Sequence, residues 1–590
     1  MPNAPCDPPT GARQSIFNSF PFITSLSTGE HPMKRYSVWM AILIFSLVIV
    51  GCVAAAPAGE MMEDEGPKVL VVGTSQEPEN VFVMWGSTRT GSDVMSFMWR
   101  KPISFGGDNQ PFAEILESLP SQADGTWVVD EEAGTMQVTY KFRQGLKWSD
   151  GEEITVHDLA MAFEITSDPN YIYYSESFPV ESIEVVDDYT AILHYKGINL
   201  FPDQEVRTHV IPEHVYRPLW EEAKAKGGNV WENFGNIEQV AIKPVVNGPY
   251  MLEEWVPGSH IRLVRNPHFN VGEEPSIDEV LYRIIPDLNS LAVSVASGQV
   301  HLTDGWLSLE QANAMESAPE VDPIFVPALW LEHATIQVNR PPLSDKLVRQ
   351  AVLTAIDRDG INEALFKGQQ PPAHSWINSA HPAYNPDVRQ YNYDPDEALR
   401  LLAEAGYTPN ADGQLADSDG NLLEIPIITI SGDRTREQVS ALVQAQWQEI
   451  GITTEVKPVS ARLLFSETLF DPPNFEGIAI WRWVFNARVE PRGFWYPGES
   501  AAQLDQLFAE GNTWAENERN KELIDMIDAE LDQEKRYALL QEQQAIWAEE
   551  LPVLPIYWHV RVATVNTALE GYQPADQAMV GWNVETWELE

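Results

Sequence analysis

The stretch TMQVTYKFRQGLKWSDGEEITVHDLAMAFE, residues 135–164, predicts the local fold from which the rest of the chain can be interpreted. Apolar and polar side chains alternate over residues 135–142, which is typical of a strand with one buried face. A turn follows at residues 149–151 (SDG), where the glycine can take a positive φ. Thr155 stands three residues before Asp158, the spacing of a capping box, and the apolar residues after it favour a helix. The segment therefore predicts strand, turn and capped helix, and no residue in it suggests catalysis.

The composition narrows the class of protein. The chain has 590 residues, 44% of them hydrophobic, which is enough for three or four domains. Its 38 Lys and Arg against 87 Asp and Glu give a formal net charge of −49. Nucleic acid and anionic lipid both require clustered cations, so neither is expected as a partner, and we interpret the charge as a solvated acidic surface. Cys6 and Cys52 both precede the predicted folded part, which excludes a disulfide framework or a cysteine metal site within it.

The N-terminal region, residues 1–52, has the pattern of an export signal. Lys34 and Arg35 precede 15 uncharged residues, too few for a comfortable membrane span. Residues 49–52 (IVGC) resemble a bacterial lipobox, in which Cys52 becomes the lipidated first residue. Cleavage after the following alanines and an uncleaved anchor are the alternatives. Because residues before the basic region resemble no targeting segment, we expect Met33 to be the true start.

Residues 53–67 are small, acidic and rich in Pro and Gly, which predicts a disordered tether between a membrane and the folded part. With a lipidated Cys52, the expected location is extracytoplasmic, anchored to the outer face of the cell membrane.

The chain after the tether alternates between strand and helix patterns. Residues 280–303 predict a strand, a helix ended by Gly298 and a second strand. Asp394 followed by Pro and two acidic residues is a strong helix start, and a strand, a helix and a strand follow between residues 425 and 457. This alternation indicates two α/β layers.

Known catalytic motifs are missing from the sequence. No phosphate-binding glycine loop, nucleophile elbow or zinc-protease helix occurs. A glycosidase pair of carboxylates gains no support, because among 87 acidic residues some pair always lies close by chance. His209 and His214 flank Pro212 and do not share a helix face, so we interpret them as surface histidines. We therefore expect no catalytic residue, no metal and no cofactor.

Seven motifs, taken in order, resemble the extracytoplasmic solute-binding proteins of family 5, which feed ABC importers of peptides, nickel and related solutes. The resemblance covers roughly residues 68–590. The motifs are residues 142–151 (FRQGLKWSDG) with 155–158 (TVHD), 247–250 (NGPY) with 265–267 (RNP), 296–300 (ASGQV), 339–351 (NRPPLSDKLVRQA), 355–358 (AIDR), 401–407 (LLAEAGY) and 552–555 (PVLP).

The resemblance implies an α/β fold of the type II periplasmic-binding-protein kind, with two α/β lobes, a hinge and an extra domain inserted in the first lobe. Lobe one would comprise residues 68–105, 240–336 and 553–590, the inserted domain residues 106–239, and lobe two residues 337–552. A ligand held between the lobes touches both only in the closed state, so its binding energy shifts the hinge equilibrium. The closed form, expected to be a monomer, would then dock on a membrane permease.

In peptide-binding members of this family, a strand after a Trp pairs with the peptide backbone, and an Asp three residues on holds the peptide's amino terminus. The matching stretch is residues 481–491, where Asn486 takes the position of the Asp. Since an amide cannot offer a full negative charge, Glu490 is the candidate to compensate. The residues that the resemblance predicts to contact ligand are Trp85, Trp481, Trp483, Asn486, Arg488, Glu490 and Trp495.

These residues predict a non-enzymatic receptor for a peptide-like solute. One alternative is an oligosaccharide receptor of the same family, since the chain has 20 Trp and indole faces stack on sugars. Another, of a different class, is a secreted carbohydrate hydrolase. If Trp483 lines the ligand site, Trp483→Ala should weaken binding with little loss of fold.

Overall fold

The structure, a computed structural model, describes residues 66–78, 80–84, 88–169, 171, 180–201, 209–235, 243–338, 340–460, 463–464, 475–485, 487–496 and 518–590. The predicted signal region, most of the predicted tether, Trp85 and Asn486 lie outside these residues. In the part of the chain that the structure describes, no helix has the length and apolar character needed to cross a bilayer.

The strands number twenty within the described ranges. In chain order they are β1 (Val69–Thr74), β2 (Ile103–Phe105), β3 (Pro111–Ala113), β4 (Trp127–Asp130), β5 (Thr135–Lys141), β6 (Val180–Asp187), β7 (Thr190–Tyr195), β8 (Tyr250–Val256), β9 (His260–Arg265), β10 (Glu279–Ile284), β11 (Leu302–Asp304), β12 (Val321–Ile336), β13 (Thr408–Pro409), β14 (Leu415–Ala416), β15 (Ile427–Ile430), β16 (Val456–Val459), β17 (Ile478–Val484), β18 (Val553–Asn566), β19 (Leu569–Glu570) and β20 (Glu588–Leu589).

The α-helices of the described ranges are interspersed with these strands along the chain. In chain order they are α1 (Arg89–Met98), α2 (Val156–Thr166), α3 (Glu213–Ala225), α4 (Val230–Gly235), α5 (Leu288–Ala296), α6 (Leu309–Met315), α7 (Lys346–Thr354), α8 (Arg358–Phe366), α9 (Pro395–Glu404), α10 (Arg434–Glu449), α11 (Arg492–Trp495), α12 (Glu518–Ala529) and α13 (Gln533–Glu550).

The opening stretch folds as its pattern predicts. Met136, Val138 and Tyr140 are buried on one face of β5, and their neighbours in sequence face outward. At the start of α2 the Asp158 carboxylate accepts the Thr155 N–H at 2.9 Å, as in a capping box. Strand β5 lies between β4 and β7 in a four-stranded antiparallel sheet, so this unit organises the region predicted as an insertion.

One ten-stranded sheet runs through the molecule in the order β16-β15-β17-β12-β18-β11-β1-β10-β9-β8. At one end β15 is parallel to both neighbours, and towards the other end β1 is parallel to both of its neighbours. The long strands β12 and β18 pair antiparallel at its centre, and we call this pair the ribbon. The ribbon therefore connects two α/β layers, one on each side of it in the sheet.

The two larger hydrophobic cores divide along the ribbon, and a third, smaller one includes Val321 of β12. The first core gathers α1, β5 and the last strands of the chain, and takes Ala563 and Val565 from β18. The second core takes β12 from Leu329 onward and β18 up to Trp558. The pairing of the two ribbon strands shifts register between Pro327 and Leu331, where the core partner also changes. The domain boundaries set out from the resemblance stay a prediction.

The structure differs from the sequence analysis at strand β12 and at His209. Strand β12 was not predicted, because Pro323 and Pro327 interrupt its pattern and Pro is unusual in a central strand. His209 is not a surface histidine: it lines an interior cavity beside α1, and its Nδ1 is buried without a hydrogen-bond partner among the described residues. His214 does lie at the surface, where its Nε2 is 2.8 Å from Asp150.

Candidate functional site

Three cavities follow one another in a row, and the middle one lies against the ribbon at Pro327 and Leu329. The Lys101 pocket, of about 200 Å³, lies in the first core's half and is lined by residues such as Trp99, Lys101, Phe105 and His209. The small His381 cavity, of about 60 Å³, also touches Phe105, and its far wall includes His381 and Ala487 from the second half. The Arg488 cavity, of about 560 Å³, is lined by Arg488, the residue that follows Ala487 in the chain. The row therefore crosses from one core to the other.

The Arg488 cavity is walled by both halves of the molecule. Residues 198–201, which follow β7, face residues 484, 485 and 488–494 and the side chains of Asp528 and Arg536. The Arg536 guanidinium lies 4.9 Å and the Arg488 guanidinium 5.9 Å from the Phe201 ring centre. Such cation–π contacts help to hold the two walls together.

The loop that carries Arg488 and Glu490 is held in an unusual conformation. His381 accepts the Ala383 N–H on Nδ1 at 3.0 Å, so its Nε2 carries the proton and donates to the Ala487 carbonyl at 3.0 Å. Val489, between the two predicted ligand contacts, has φ 44°. A β-branched residue in this region is strained, and such strain concentrates at functional sites. The structure thus places Arg488 and Glu490 on a constrained loop in a cavity wall.

The three described tryptophans of the predicted set lie in the second core instead. On β17, Trp481 and Trp483 point to the core, whereas Arg482 points away. The Trp481 Nε1–H donates to Thr335 at 2.7 Å, and the Trp483 ring stacks on His333 with 3.9 Å between centres. Trp483 also meets Trp495 edge-on at 5.3 Å, and Trp495 is fully buried. The structure gives these indoles a packing role, and their contact with ligand stays a prediction.

The Lys101 pocket contains an interior charge network. Arg100 forms an ion pair with Glu114, at 3.0 Å, and a hydrogen-bonded ion pair with Glu585, at 2.7 Å. Glu114 also accepts the Ser104 hydroxyl at 2.5 Å and the Lys101 backbone N–H at 2.9 Å. Burial raises the pKa of Glu114, although Arg100 opposes the shift. Burial lowers the pKa of Lys101, because the ammonium loses its hydration.

The opposite face of the ribbon carries a different cavity. Because adjacent residues of a strand point to opposite faces, Leu329 faces the row while Trp330 and Glu332 face this rear cavity of about 390 Å³. Its wall also includes Arg482, whose guanidinium lies 4.6 Å from the Trp330 ring.

The Glu332 cluster, made of Glu332, Arg436, His559 and Asp433, lies in this rear wall. The fully buried Glu332 carboxylate accepts from Arg436 at 2.5 and 3.0 Å and bonds His559 at 2.8 Å. Arg436 also pairs with Asp433 at 2.6 Å. Burial alone would raise the pKa of Glu332, but His559 and Arg436 outweigh it and hold the pKa at about 2.

Comparison with known proteins identifies the class. Residues 118–500 match the profile of the bacterial extracellular solute-binding proteins, family 5 middle. The chain belongs to family 5 of the extracellular solute-binding proteins. The resemblance inferred from the seven motifs is therefore confirmed, and so is the type II periplasmic-binding-protein fold.

Relatives of this family 5 protein differ in their solutes. It is 26% identical to the oligopeptide-binding protein AppA of Bacillus subtilis, over 88% of this chain and 91% of that protein. The oligopeptide-binding protein of Thermus thermophilus, solved with a pentapeptide, is 26% identical with a TM-score of 0.64, over 88% of this chain and 96% of that one. NikA of Brucella suis, solved with Fe(III)-EDTA, has a TM-score of 0.71 at 19% identity, over 88% and 100% of the two chains, and shows the fold alone. The role shared by these proteins, solute binding for an ABC transporter outside the cytoplasm, is also that of this chain.

Sequence reasoning missed several residues that line the row. Phe201 and Arg536 meet only because residues far apart in the chain fold together, and neither lies in a recognisable motif. Lys101 and His209 likewise converge from two separate segments. Among the described residues, no group of His, Cys, Asp and Glu has the geometry of a metal site.

Proposed function

We propose that this family 5 protein is a lipid-anchored receptor that binds a peptide-like solute in the row of cavities and delivers it unchanged to an ABC permease. The observation that carries the proposal is the Arg488 cavity, whose walls come from both halves of the molecule. A solute there contacts both halves at once, which is the condition for ligand-driven closure.

The charges of the Arg488 cavity suit a peptide. Arg488 and Glu490 offer a cation and an anion on one loop, and a peptide presents carbonyl oxygens, N–H groups and charged termini. The Glu490 carboxylate replaces the charge that Asn486 cannot supply to a terminal ammonium. Relatives with oligopeptide ligands in their names support the same solute class.

The oligosaccharide alternative receives less support. It depended on indole faces at Trp481, Trp483 and Trp495, and these rings are packed against core side chains. Oligosaccharides are therefore included in the binding test as a competing panel of ligands.

The test is thermal and calorimetric titration of the full-length protein with matched panels of peptides, oligosaccharides, haem and nickel complexes. A ligand at one hundred times its Kd should stabilise the protein by about 2.7 kcal/mol. Peptides should raise the melting temperature, and mass spectrometry should recover them intact. Stabilisation by another panel alone, or cleavage of the bound peptide, would overturn the proposal.

Arg488→Met provides a site-directed version of this test. It should weaken peptide binding, whereas the matched control Arg400→Met, which changes an exposed arginine of α9, should bind as the wild type does. Equal affinity in the two variants would place the solute elsewhere.

The lipid anchor is tested by mass spectrometry of the native N-terminus. We expect a diacylated Cys52 as the first residue, and Cys52→Ser should release the protein from the membrane fraction. A tryptic peptide from residues 1–32 in the native protein would refute Met33 as the start.

A further inference from the structure

We infer that the Lys101 pocket is a subsite for a carboxylate of the ligand, which the Lys101 ammonium and the His209 imidazole bind together. The inference rests on the proposed function, because it names one chemical feature of the solute held in the row of cavities.

The Lys101 ammonium lacks an acceptor in the pocket. Within the described ranges, no carboxylate oxygen lies within 4.0 Å of it, and Glu114 acts on it only at longer range. Much of the surrounding wall is apolar, with Met95 and Trp99 at the end of α1 and Trp582 from the C-terminal segment. Lys101 is only partly exposed, and with no carboxylate in reach its ammonium would gain a charge-assisted hydrogen bond from an anionic partner there.

The nearest acid cannot act as that partner. Glu114 already forms an ion pair with Arg100 and accepts hydrogen bonds from the Ser104 hydroxyl and from the Lys101 backbone N–H. Among the charged groups that line the pocket, Arg100 and Lys101 are cations and Glu114 is the anion. Arg100 is in turn paired with Glu114 and Glu585, so the Lys101 ammonium is the charge left without an opposite partner, and a ligand carboxylate would supply one.

His209 provides a second donor. Burial first, and the Lys101 charge second, lower the pKa of His209 to about 3, so the ring is neutral at physiological pH. A neutral imidazole keeps one N–H to donate. Its buried Nδ1 has no hydrogen-bond partner within the described part of the chain. A carboxylate between the two side chains would pair with the ammonium. It would also accept a hydrogen bond from the imidazole in the tautomer whose N–H faces the pocket.

The size of the pocket limits what enters it. About 200 Å³ is smaller than the roughly 300–1,000 Å³ of sites that enclose a whole small ligand. The pocket therefore takes one acidic group, either an Asp or Glu side chain or a terminal carboxylate. Phe105 lines both this pocket and the His381 cavity, so the rest of the solute can continue along the row.

The experiment is calorimetric titration of the full-length protein with peptide pairs that differ by one carboxylate. One set exchanges Glu for Gln at each position, and the other exchanges a free C-terminus for an amide. The wild type should bind one acidic member about tenfold tighter or more than its neutral partner, the effect of a charge-assisted hydrogen bond. The set that shows the preference identifies the source of the carboxylate.

Lys101→Met should abolish this preference and leave the affinity for the neutral peptide within about twofold, since a single charge-assisted contact is removed. His209→Asn should reduce the preference and serves as the second variant if Lys101→Met fails to fold. In the wild type, the pKa of His209 followed by NMR should rise when the acidic peptide binds, because the added anion opposes the Lys101 charge.

Each outcome separates the two claims. If peptides bind but acidic and neutral members bind equally, or if Lys101→Met weakens both equally, the carboxylate subsite is wrong and the proposed function stands. If no peptide binds the wild type, both are wrong.

Discussion

The Glu332 cluster and the Lys101 pocket both bury charge near the junction of the two cores, but they treat it differently. In the Glu332 cluster each charged group has an opposite charge or a hydrogen-bond partner at 2.5–3.0 Å. In the Lys101 pocket, the acid Glu114 is paired with Arg100 and hydrogen-bonded to Ser104, and the described residues provide no acceptor for the Lys101 ammonium. A complete network stabilises the fold, whereas an incomplete one costs stability unless a ligand completes it.

Glu332→Ala would give the largest expected loss of stability. It leaves His559 and Arg436 without their shared acceptor, and breaking a buried pair in this way costs about 3–5 kcal/mol. Chemical denaturation should show a lower midpoint. The control Glu404→Ala removes an exposed partner of Arg400 and should leave the midpoint unchanged. If the two variants unfold alike, the Glu332 cluster does not support the fold.

Trp483→Ala tests whether the aromatic cluster around Trp483 stabilises the fold, as the Glu332 cluster does. The ring is 5% exposed and packs on His333 and Trp495, so truncation should cost about 3 kcal/mol in unfolding free energy. This replaces the expectation, drawn from the sequence alone, of little loss of fold. A variant with wild-type stability and lost ligand affinity would return Trp483 to the binding site.

The Glu332 cluster also makes a prediction about acid. The pKa of Glu332 falls from its ordinary 4.5 to about 2 in the folded protein. The unfolded chain therefore binds a proton first, and the stabilisation present above pH 4.5 is lost as pH falls towards 2. The difference in unfolding free energy between wild type and Glu332→Ala should be constant above pH 4.5 and shrink below it. A difference that stays constant down to pH 2 would contradict the ionised cluster.

Lys101→Met should change the free energy of unfolding in the opposite direction from Glu332→Ala. Removing an ammonium without an acceptor from an apolar surrounding should leave stability unchanged or raise it by up to about 1 kcal/mol. Lys457→Met, at an exposed lysine of β16, is the matched control. A marked loss of stability in Lys101→Met would show that the lysine has a structural partner and would remove the contrast between the two sites.

Phe201→Ala should have the smallest effect. It removes the surface on which Arg488 and Arg536 rest, and each cation–π contact contributes about 0.5–1 kcal/mol. Solute affinity should fall a few-fold, because the contact joins the two walls of the cavity. An unchanged affinity would show that closure does not depend on this contact.

Local patterns predicted the parts of the fold that depend on neighbours in sequence. The alternation in β5, the Asp158 cap of α2 and the Asp394 cap of α9 all appear where expected. These features depend on residues within one turn or one strand, so a single sequence contains them.

The rest depends on contacts between distant segments. Strand β12 contains two prolines, and its place at the sheet centre is set by pairing with β17 and β18. The family motif located the strand that carries Trp481 and Trp483, but it could not show which face of β17 meets the core. Lys101 and His209 share a cavity only after folding, so no local spacing announces their meeting.

The position of β18 at the sheet centre has a consequence for biosynthesis. This strand separates β12 from β11, yet it is made after the other nine strands of the sheet. Until the ribosome has released it, neither half can complete its sheet, and long-range pairing of this kind is slow. The central sheet of a newly made chain therefore stays incomplete until the last of its ten strands has been made.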